Sequence, residues 1–175
     1  MEQLPTIYTV GHGARPIGEF ISLLLDANVG RLIDVRTAPG SRKHPHFGKD
    51  ALARTLPERG IEYVWRKELG GWRKPAPNSR HVALTSGGFR GYADHMESPE
   101  FRDVLAWLIA TSRHERTAVM CAESVWWRCH RRMLADALVA RGCEVQHIMP
   151  GGHLRPHRLH PAGRVVDDDV IYDRS

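Results

Sequence analysis

Two cysteines stand close to residues that can move protons in the stretch CAESVWWRCHR, which begins at Cys121. A thiolate is a strong nucleophile, and cationic neighbours or a helix N-terminus favour its formation. Cys129 precedes His130 and Arg131 at the start of a helical pattern. We therefore predict Cys129 as the catalytic nucleophile, with Cys121 as the second candidate thiol. Glu123 and His130 are the candidate acid or base residues of this stretch.

The six residues between the two cysteines do not resemble an anion-binding loop. Rhodaneses and cysteine phosphatases hold their anion in a cradle of backbone N–H groups that glycines help to form. The stretch AESVWW has no glycine, one acid and two large rings, so sulfur transfer and thiol-phosphate chemistry are disfavoured. For Cys121 a structural role is favoured, because free cysteines in apolar strands are usually small core residues. For Cys129 a structural role is an equal alternative to the catalytic one.

A metal centre is not predicted, although suitable ligand types are present. Cys121, Cys129, His130 and His12 are types that bind zinc, but the spacing of the two cysteines differs from the familiar paired forms. If zinc or another metal binds, the expected ligands are Cys121, Cys129 and His130. The histidines of residues 151–160, GGHLRPHRLH, are expected at the surface or as one further ligand.

A basic segment from residue 36 to residue 49 indicates an anionic ligand. It contains four Lys or Arg, two His and no acid, and arginine forks suit phosphate oxygens. The predicted phosphate-binding residues, in this segment and beside the cysteines, are Arg36, Arg42, Lys43, Arg128 and Arg131. Four aromatic side chains could stack nucleic-acid bases: Phe47, Trp72, Trp126 and Trp127. A solvated loop and packed tryptophans are the alternatives.

Alternating strands and helices must position these groups. Short apolar runs predict strands at 6–10, 31–35, 61–65, 117–121 and 143–149. Helical spacing and end signals predict helices at 16–27, 50–59, 98–112 and 129–141. This alternation favours a single α/β domain over residues 1–175, a three-layer sandwich with a mainly parallel five-stranded sheet, Rossmann-like or flavodoxin-like. Residues 70–97 form a long connection, either an ordered wall or a closing lid.

In a parallel sheet the ligand binds beyond the carboxyl ends of the strands. The loops after the first, second and fourth predicted strands should therefore converge. We expect His12, Asp34, Arg36, Cys121 and Glu123 to be near neighbours. His12 and Asp34 thereby join the candidate catalytic residues, although Asp34 and Arg36 could equally form an ion pair with no chemical role.

Composition excludes some classes of protein. No apolar run approaches the roughly 20 residues that span a bilayer, and MEQLPTIYTV lacks the pattern of a signal peptide. Three cysteines at these spacings suit free thiols in a reducing compartment, so a cytoplasmic location is expected, without membrane association. The net charge of +5 is compatible with a polyanionic partner. The sequence does not indicate an oligomeric state.

Six ordered motifs also resemble those of a known family. They are TVGHG at 9–13, DVR at 34–36, HPHF at 44–47, ELGG at 68–71, CAE at 121–123 and CHR at 129–131. On these motifs, the chain resembles the domain-of-unknown-function family number four-eight-eight over about residues 6–160. The resemblance supports the choice of site residues but implies no reaction. Gly13 stands where serine is usual in the family.

These observations favour an enzyme that acts on a nucleotide or nucleic acid, a hydrolase or transferase that uses cysteine, histidine and glutamate. In this hypothesis arginines hold the phosphate while His12 and Glu123 move protons. The alternatives are a non-catalytic nucleic-acid-binding module and a metal-binding or redox-sensing protein built on the two thiols.

Overall fold

The central sheet has five parallel strands, as the alternating pattern predicts. The structure, a computed structural model, describes residues 4–40 and 42–174. The parallel strands are β1 (Thr6–Gly11), β2 (Arg31–Asp34), β3 (Glu62–Trp65), β4 (Thr117–Cys121) and β5 (Glu144–Ile148). A sixth strand, β6 (Leu154–Pro156), pairs antiparallel with β5, and the order is β3-β2-β4-β1-β5-β6.

Helices cover both faces of the sheet. They are α1 (Ile17–Asp26), α2 (Lys49–Glu58), α3 (Gly87–His95), α4 (Pro99–Ser112) and α5 (Arg131–Ala140). Apolar residues of α1 and α2 form one buried cluster with the sheet, and apolar residues of α3, α4 and α5 form the other. The prediction of a three-layer α/β sandwich, Rossmann-like or flavodoxin-like, is therefore confirmed.

Four elements differ from the prediction. The connection after β3 is not irregular throughout, because Ser86 caps α3 by accepting a hydrogen bond from the N–H of Phe89. Three glycines in α3 hide its helical pattern. The sequence also gives no signal for β6 or for a separate antiparallel pair, β7 (Gly163–Val166) and β8 (Asp169–Tyr172). These strands are only three or four residues long.

The alternation of side chains along the strands decides which residues meet near the last helix. Ile7 and Val119 lie in the cluster on the α5 side, while Val10 and Met120 lie in the cluster on the α1 side. Because successive strand residues point to opposite faces, Thr9 and Cys121 also face α5. The alternation of side chains along β4 thus directs the Cys121 thiol towards the face of the sheet on which Cys129 lies.

No helix within the described residues is long and apolar enough to cross a membrane.

Candidate active site

The candidate site is a cleft between the carboxyl ends of β2 and β4. From β2 the chain passes to β3 on one side, and from β4 it passes to β5 on the other, so the crevice between these neighbouring strands is a topological switch point. The cleft has a volume of about 360 Å³. Its lining residues are Arg36, Thr37, Ala38, Gly71, Trp72, Ser86, Gly88, Phe89, Cys121, Ala122, Glu123, Arg128, Cys129 and His130.

Two thiols lie against each other in this cleft. The Sγ atoms of Cys121 and Cys129 are 3.0 Å apart. The Sγ of Cys129 also accepts a hydrogen bond of 3.3 Å from the backbone N–H of Arg131. The bond from the Cys121 thiol, and then the arginine, outweigh burial and lower the pKa of Cys129 to about 7. Donating that bond, together with burial, raises the pKa of Cys121. Cys129 is therefore the first of the two thiols to lose its proton.

Helix α5 begins two residues later than the sequence predicts. Cys129 has extended backbone angles, and His130 is the N-cap of α5. The Cys129 thiol consequently sits just outside the helix, where it can accept from an N–H group that the first helical turn leaves free. The predicted effect of the helix N-terminus on this thiol is thus supplied through one defined hydrogen bond.

Arg131 is buried beneath the loop that joins the two cysteines. Its side chain is about 1% exposed. The Nη2 group donates to the carbonyl oxygens of Glu123 at 3.0 Å and of Ser124 at 3.4 Å. Within the described part of the chain, no carboxylate pairs with Arg131. Its position leaves it little access to a ligand in solution, and its charge instead favours the Cys129 thiolate.

The imidazole of His130 is held in one tautomer. Its Nε2 group donates to the carbonyl of Val35 at 3.2 Å, so Nδ1 carries the lone pair. Burial lowers the pKa of His130 to about 4, which keeps the ring neutral near pH 7. A Cβ atom on Gly71 would lie 3.0 Å from Nδ1. The LGG motif therefore lets the backbone approach this ring closely.

His12, Arg36 and Asp34 form one buried unit beside the cleft. The Arg36 guanidinium donates to both carboxylate oxygens of Asp34, at 2.9 and 2.7 Å. The Nδ1 group of His12 donates to Gly13 O at 2.7 Å, and its Nε2 atom accepts from Arg36 at 3.4 Å. Burial lowers the pKa of His12 to about 4. The lone pair of His12 is therefore already used, and the geometry favours a role in orienting Arg36 over proton transfer.

The structure brings the five expected neighbours together. The backbone N–H of His12 donates to the backbone carbonyl of Cys121 at 3.0 Å. Arg36, Cys121 and Glu123 line the same cleft. The close approach of these loops depends on Gly11. A Cβ atom on Gly11 would lie 1.9 Å from the carbonyl oxygen of Glu123.

The predicted phosphate ligands are not equivalent in the structure. Arg128 is exposed at the cleft, and Arg36 reaches the cleft while paired with Asp34. Arg42 and Lys43 are exposed but lie outside the cleft lining. With Arg131 buried below, Arg36 and Arg128 are the cations that a ligand in the cleft would meet.

The four aromatic candidates for base stacking also divide. Phe47 is fully buried and stacks on His12, and Trp126 stacks on His147 with ring centroids 4.3 Å apart. Trp127 is 42% exposed and lies outside the cleft lining. Trp72 is 82% exposed, lines the cleft and has a φ of 60°, an uncommon value for a residue other than glycine. Trp72 alone of the four is placed to touch a ligand in the cleft.

The long connection supplies one wall of the cleft. Residues 71, 72, 86, 88 and 89 line it, and the hydroxyl of Tyr92 on α3 donates to the carbonyl of Leu69 at 3.0 Å. Part of the segment 70–97 thus lines the cleft, and its lining residue Phe89 has no signal in the sequence.

One cluster of metal-ligand types lies away from the cleft. His81 faces Glu97 and Asp94, with N–O distances of 3.6 and 3.9 Å. The Nδ1 atom of His81 accepts from the N–H of Tyr172 at 3.2 Å, so the proton of the neutral ring is on Nε2 and points towards the carboxylates. A metal needs the lone pair at that nitrogen. The cluster therefore does not fit a metal in its present hydrogen bonding.

A second polar cluster was not predicted from the sequence. Thr9, Asp136, His147 and His157 are buried and hydrogen-bonded in series behind the loop of the cysteines. The expected surface position of the histidines at 151–160 is wrong for His157, whose side chain is fully buried. Isolated polar residues in strands and tails carry no periodic signal that would have linked them.

One family model matches the chain. It is described as "Domain of unknown function DUF488", and the match covers residues 16–138. No curated protein and no solved structure matches the chain.

Proposed function

The chain belongs to the DUF488 family, and from the geometry of its cleft we propose that it is a hydrolase or transferase with Cys129 as the nucleophile. The observation that carries this proposal is the pair of thiols beside a buried, uncompensated arginine. One thiol donates a hydrogen bond to the other, and Arg131 donates its backbone N–H to the same sulfur. Reactive cysteines characteristically lie in partly exposed, electropositive surroundings of this kind.

The proposed substrate bears a phosphate, as a nucleotide does. Arg128 at the cleft and Arg36 beside it would hold the phosphate, and the exposed ring of Trp72 would stack on a base. Among the described residues that line the cleft, Glu123 is the only acid. The volume of about 360 Å³ suits a small ligand.

In the proposed reaction the phosphate is recognised and a carbon atom reacts. The loop between the cysteines directs the carbonyl of Glu123 towards Arg131 and Cys121, so a cradle of N–H groups for a phosphoryl group in transfer is not formed there. The Cys129 thiolate would form an S–C bond while the bond from that carbon to the leaving group breaks. Water or an acceptor would then release the product and restore the thiolate. Glu123 and Nδ1 of His130 are the candidate acceptors for the proton of that second step.

Protection from alkylation tests this proposal directly. Cys129 should react with iodoacetamide at pH 7, and adenosine monophosphate or inorganic phosphate should slow the reaction several-fold. The variant Arg128→Gln should lose most of this protection, whereas Arg42→Gln, which changes an exposed arginine outside the cleft, should retain it. Unchanged alkylation at millimolar concentrations of both ligands would refute a phosphate-bearing substrate.

A non-catalytic nucleic-acid-binding module predicts the opposite pattern. Binding of single-stranded nucleic acid would then depend on Arg42 and Lys43 and would weaken steeply with salt. Changing Cys129 to serine would leave that binding unaltered. Such a result would favour the basic loop over the cleft as the functional surface.

The separation of 3.0 Å between the two sulfurs favours a second candidate function, thiol-disulfide redox chemistry. A hydroperoxide would oxidise the Cys129 thiolate to a sulfenic acid and leave as an alcohol or water. The Cys121 thiol would then attack that sulfur, forming a disulfide and releasing water. In Cys121→Ser the sulfenic acid should persist and react with dimedone. A cytoplasmic location is proposed with it, because all three cysteines are free thiols.

A further inference from the structure

A buried series of hydrogen bonds runs behind the cleft from Arg131 to Asp136. The Nη1 group of Arg131 donates to Oγ1 of Thr9 at 3.3 Å, and that oxygen is 2.5 Å from Nδ1 of His147. The Nε2 atom of His147 is 2.8 Å from Nδ1 of His157. The Nε2 atom of His157 is 2.7 Å from a carboxylate oxygen of Asp136. These residues connect β1, α5, β5 and the segment after β6.

When His157 is neutral, the carboxylate end fixes the direction of every hydrogen bond in the series. Arginine can only donate and a carboxylate can only accept. His157 therefore donates from Nε2 to Asp136, and its Nδ1 atom accepts from Nε2 of His147. The Nδ1 atom of His147 then accepts the hydroxyl proton of Thr9. In this arrangement each imidazole donates from Nε2 alone, and burial lowers the pKa of His147 to about 2.

Asp136 is held firmly at the far end. Its carboxylate also accepts from the hydroxyl of Tyr172 at 2.7 Å and from the N–H of His160 at 3.1 Å. Asp136, His147 and the side chain of His157 are fully buried. The buried carboxylate of Asp136 is thus linked to the buried guanidinium of Arg131 through the hydrogen bonds of three side chains.

The same series supports the loop that joins the two cysteines. Trp126 of that loop stacks on the ring of His147, with the planes 5° apart. Arg131 contacts the loop through the carbonyl groups of Glu123 and Ser124. Both contacts with the loop therefore depend on members of one hydrogen-bonded set.

We propose that Thr9, His147, His157 and Asp136 are positioning residues, which hold Arg131 beneath the thiol pair so that its charge favours the Cys129 thiolate. This inference rests on the proposed function, because it assigns these residues to the thiol chemistry. His147 and His157 lie beyond residue 138, where the family match ends. Two of the four positioning residues therefore lie in a segment of this chain that the family model does not cover.

Thr9 offers the sharpest test because two matched substitutions separate its hydroxyl from its shape. Thr9→Val keeps the branched shape and removes the hydroxyl, whereas Thr9→Ser keeps the hydroxyl. The titratable groups that interact with Cys129 include Cys121 on β4, Tyr92 on α3 and Arg131 on α5. The charged or titratable groups that share its cleft are Arg36, Glu123, Arg128 and His130. Both variants leave all of these groups in place. The measurement is the rate of alkylation of Cys129 by iodoacetamide from pH 5.5 to 9, read by mass spectrometry.

Thr9→Val should react about three times more slowly than the wild type at pH 6.5, because a rise of half a unit in pKa lowers the thiolate fraction about threefold below the pKa. Thr9→Ser should follow the wild-type profile. Identical profiles for all three proteins would overturn the positioning role while leaving the nucleophile itself unaffected. If Cys129 of the wild type shows no lowered pKa in this profile, the proposed function itself is refuted, and the positioning role with it.

A measurement on the unaltered protein covers the case in which Thr9→Val does not fold. Nitrogen-15 NMR of the imidazoles should find His147 and His157 both neutral near pH 7, with the proton on Nε2 in each ring. A proton on Nδ1 of either ring would reverse or break hydrogen bonds between Arg131 and Asp136 and would contradict the inference.

Discussion

Replacing Cys129 with serine should make the stability of the protein less dependent on pH between 6 and 8. The hydrogen bond from Cys121 and the charge of Arg131 lower the pKa of Cys129 from 9.0 to about 7 in the folded protein. In the unfolded chain the thiol returns to its ordinary pKa. Folding and ionisation of this thiol are therefore linked.

The sign of the effect follows from the lowered pKa of the folded state. Its stabilising contribution is complete above the unfolded pKa and is lost as the pH falls through the folded pKa. With pKa values of about 7 and 9, the contribution is close to zero at pH 6 and about 1.3 kcal/mol at pH 8. Above pH 9 the raised pKa of Cys121 opposes it, so the comparison ends at pH 8.

The assay is urea denaturation of the wild type and of Cys129→Ser at pH 6 and pH 8, with a reductant present. The buried histidines titrate in both proteins, so their contributions cancel in the difference. The difference in unfolding free energy between the two proteins should grow by about 1.3 kcal/mol from pH 6 to pH 8. A difference that is the same at both pH values would refute the claim that the folded structure stabilises the Cys129 thiolate.

Three further substitutions test the surroundings of the thiols, each by urea denaturation. Between pH 7 and pH 5 the wild type should lose about 2 kcal/mol more stability than His130→Asn. Burial lowers the pKa of the folded imidazole to about 4, whereas the unfolded ring takes up a proton below about pH 6.5. Equal losses in the two proteins would contradict this expectation. Asp34→Asn should destabilise the protein by about 3–5 kcal/mol, because it leaves the buried guanidinium of Arg36 without a counter-charge. A change in unfolding free energy below about 1 kcal/mol would show that the pair is solvated. Gly11→Ala should cost at least about 2 kcal/mol, since its Cβ would overlap the loop after β4, whereas Gly18→Ala, with open space around its Cβ, should be neutral or stabilising.

The layers of the fold could be predicted because their signals are local. The apolar runs of β1, β2 and β4 are continuous, and strands buried on both faces in a parallel sheet leave this pattern. Convergence of the loops after these strands then followed from the parallel arrangement. In contrast, α3 contains three glycines, and β6 is a strand of three exposed residues, so neither carries a pattern that sequence reasoning can detect.

The site could be predicted as a set of residues but not as a set of roles. The types and positions of Cys121, Cys129 and Arg131 suggested an activated thiol, and charge clustering suggested phosphate ligands. Whether an arginine is paired, buried or free depends on contacts far apart in sequence. For that reason Arg131 was predicted as a phosphate ligand and lies buried instead. The same limit explains why His12 was assigned to proton transfer although Arg36 uses its lone pair.

The polar series behind the cleft was beyond prediction for a related reason. Thr9 and His147 are 138 residues apart in the chain, and each alone is typical of an ordinary strand residue. Only the pairing of β1 with β5 brings them together.

The most direct test of the central claim is the pH profile of alkylation at each cysteine of the reduced wild-type protein, read by peptide mass spectrometry. Cys129 should react with a midpoint near pH 7, while Cys121 and Cys143 stay unreactive until well above it, because burial raises the pKa of Cys143 and a donated hydrogen bond with burial raises that of Cys121. A midpoint for Cys129 at its ordinary value near 9.0, or faster reaction at Cys121, would contradict the assignment of Cys129 as the nucleophile.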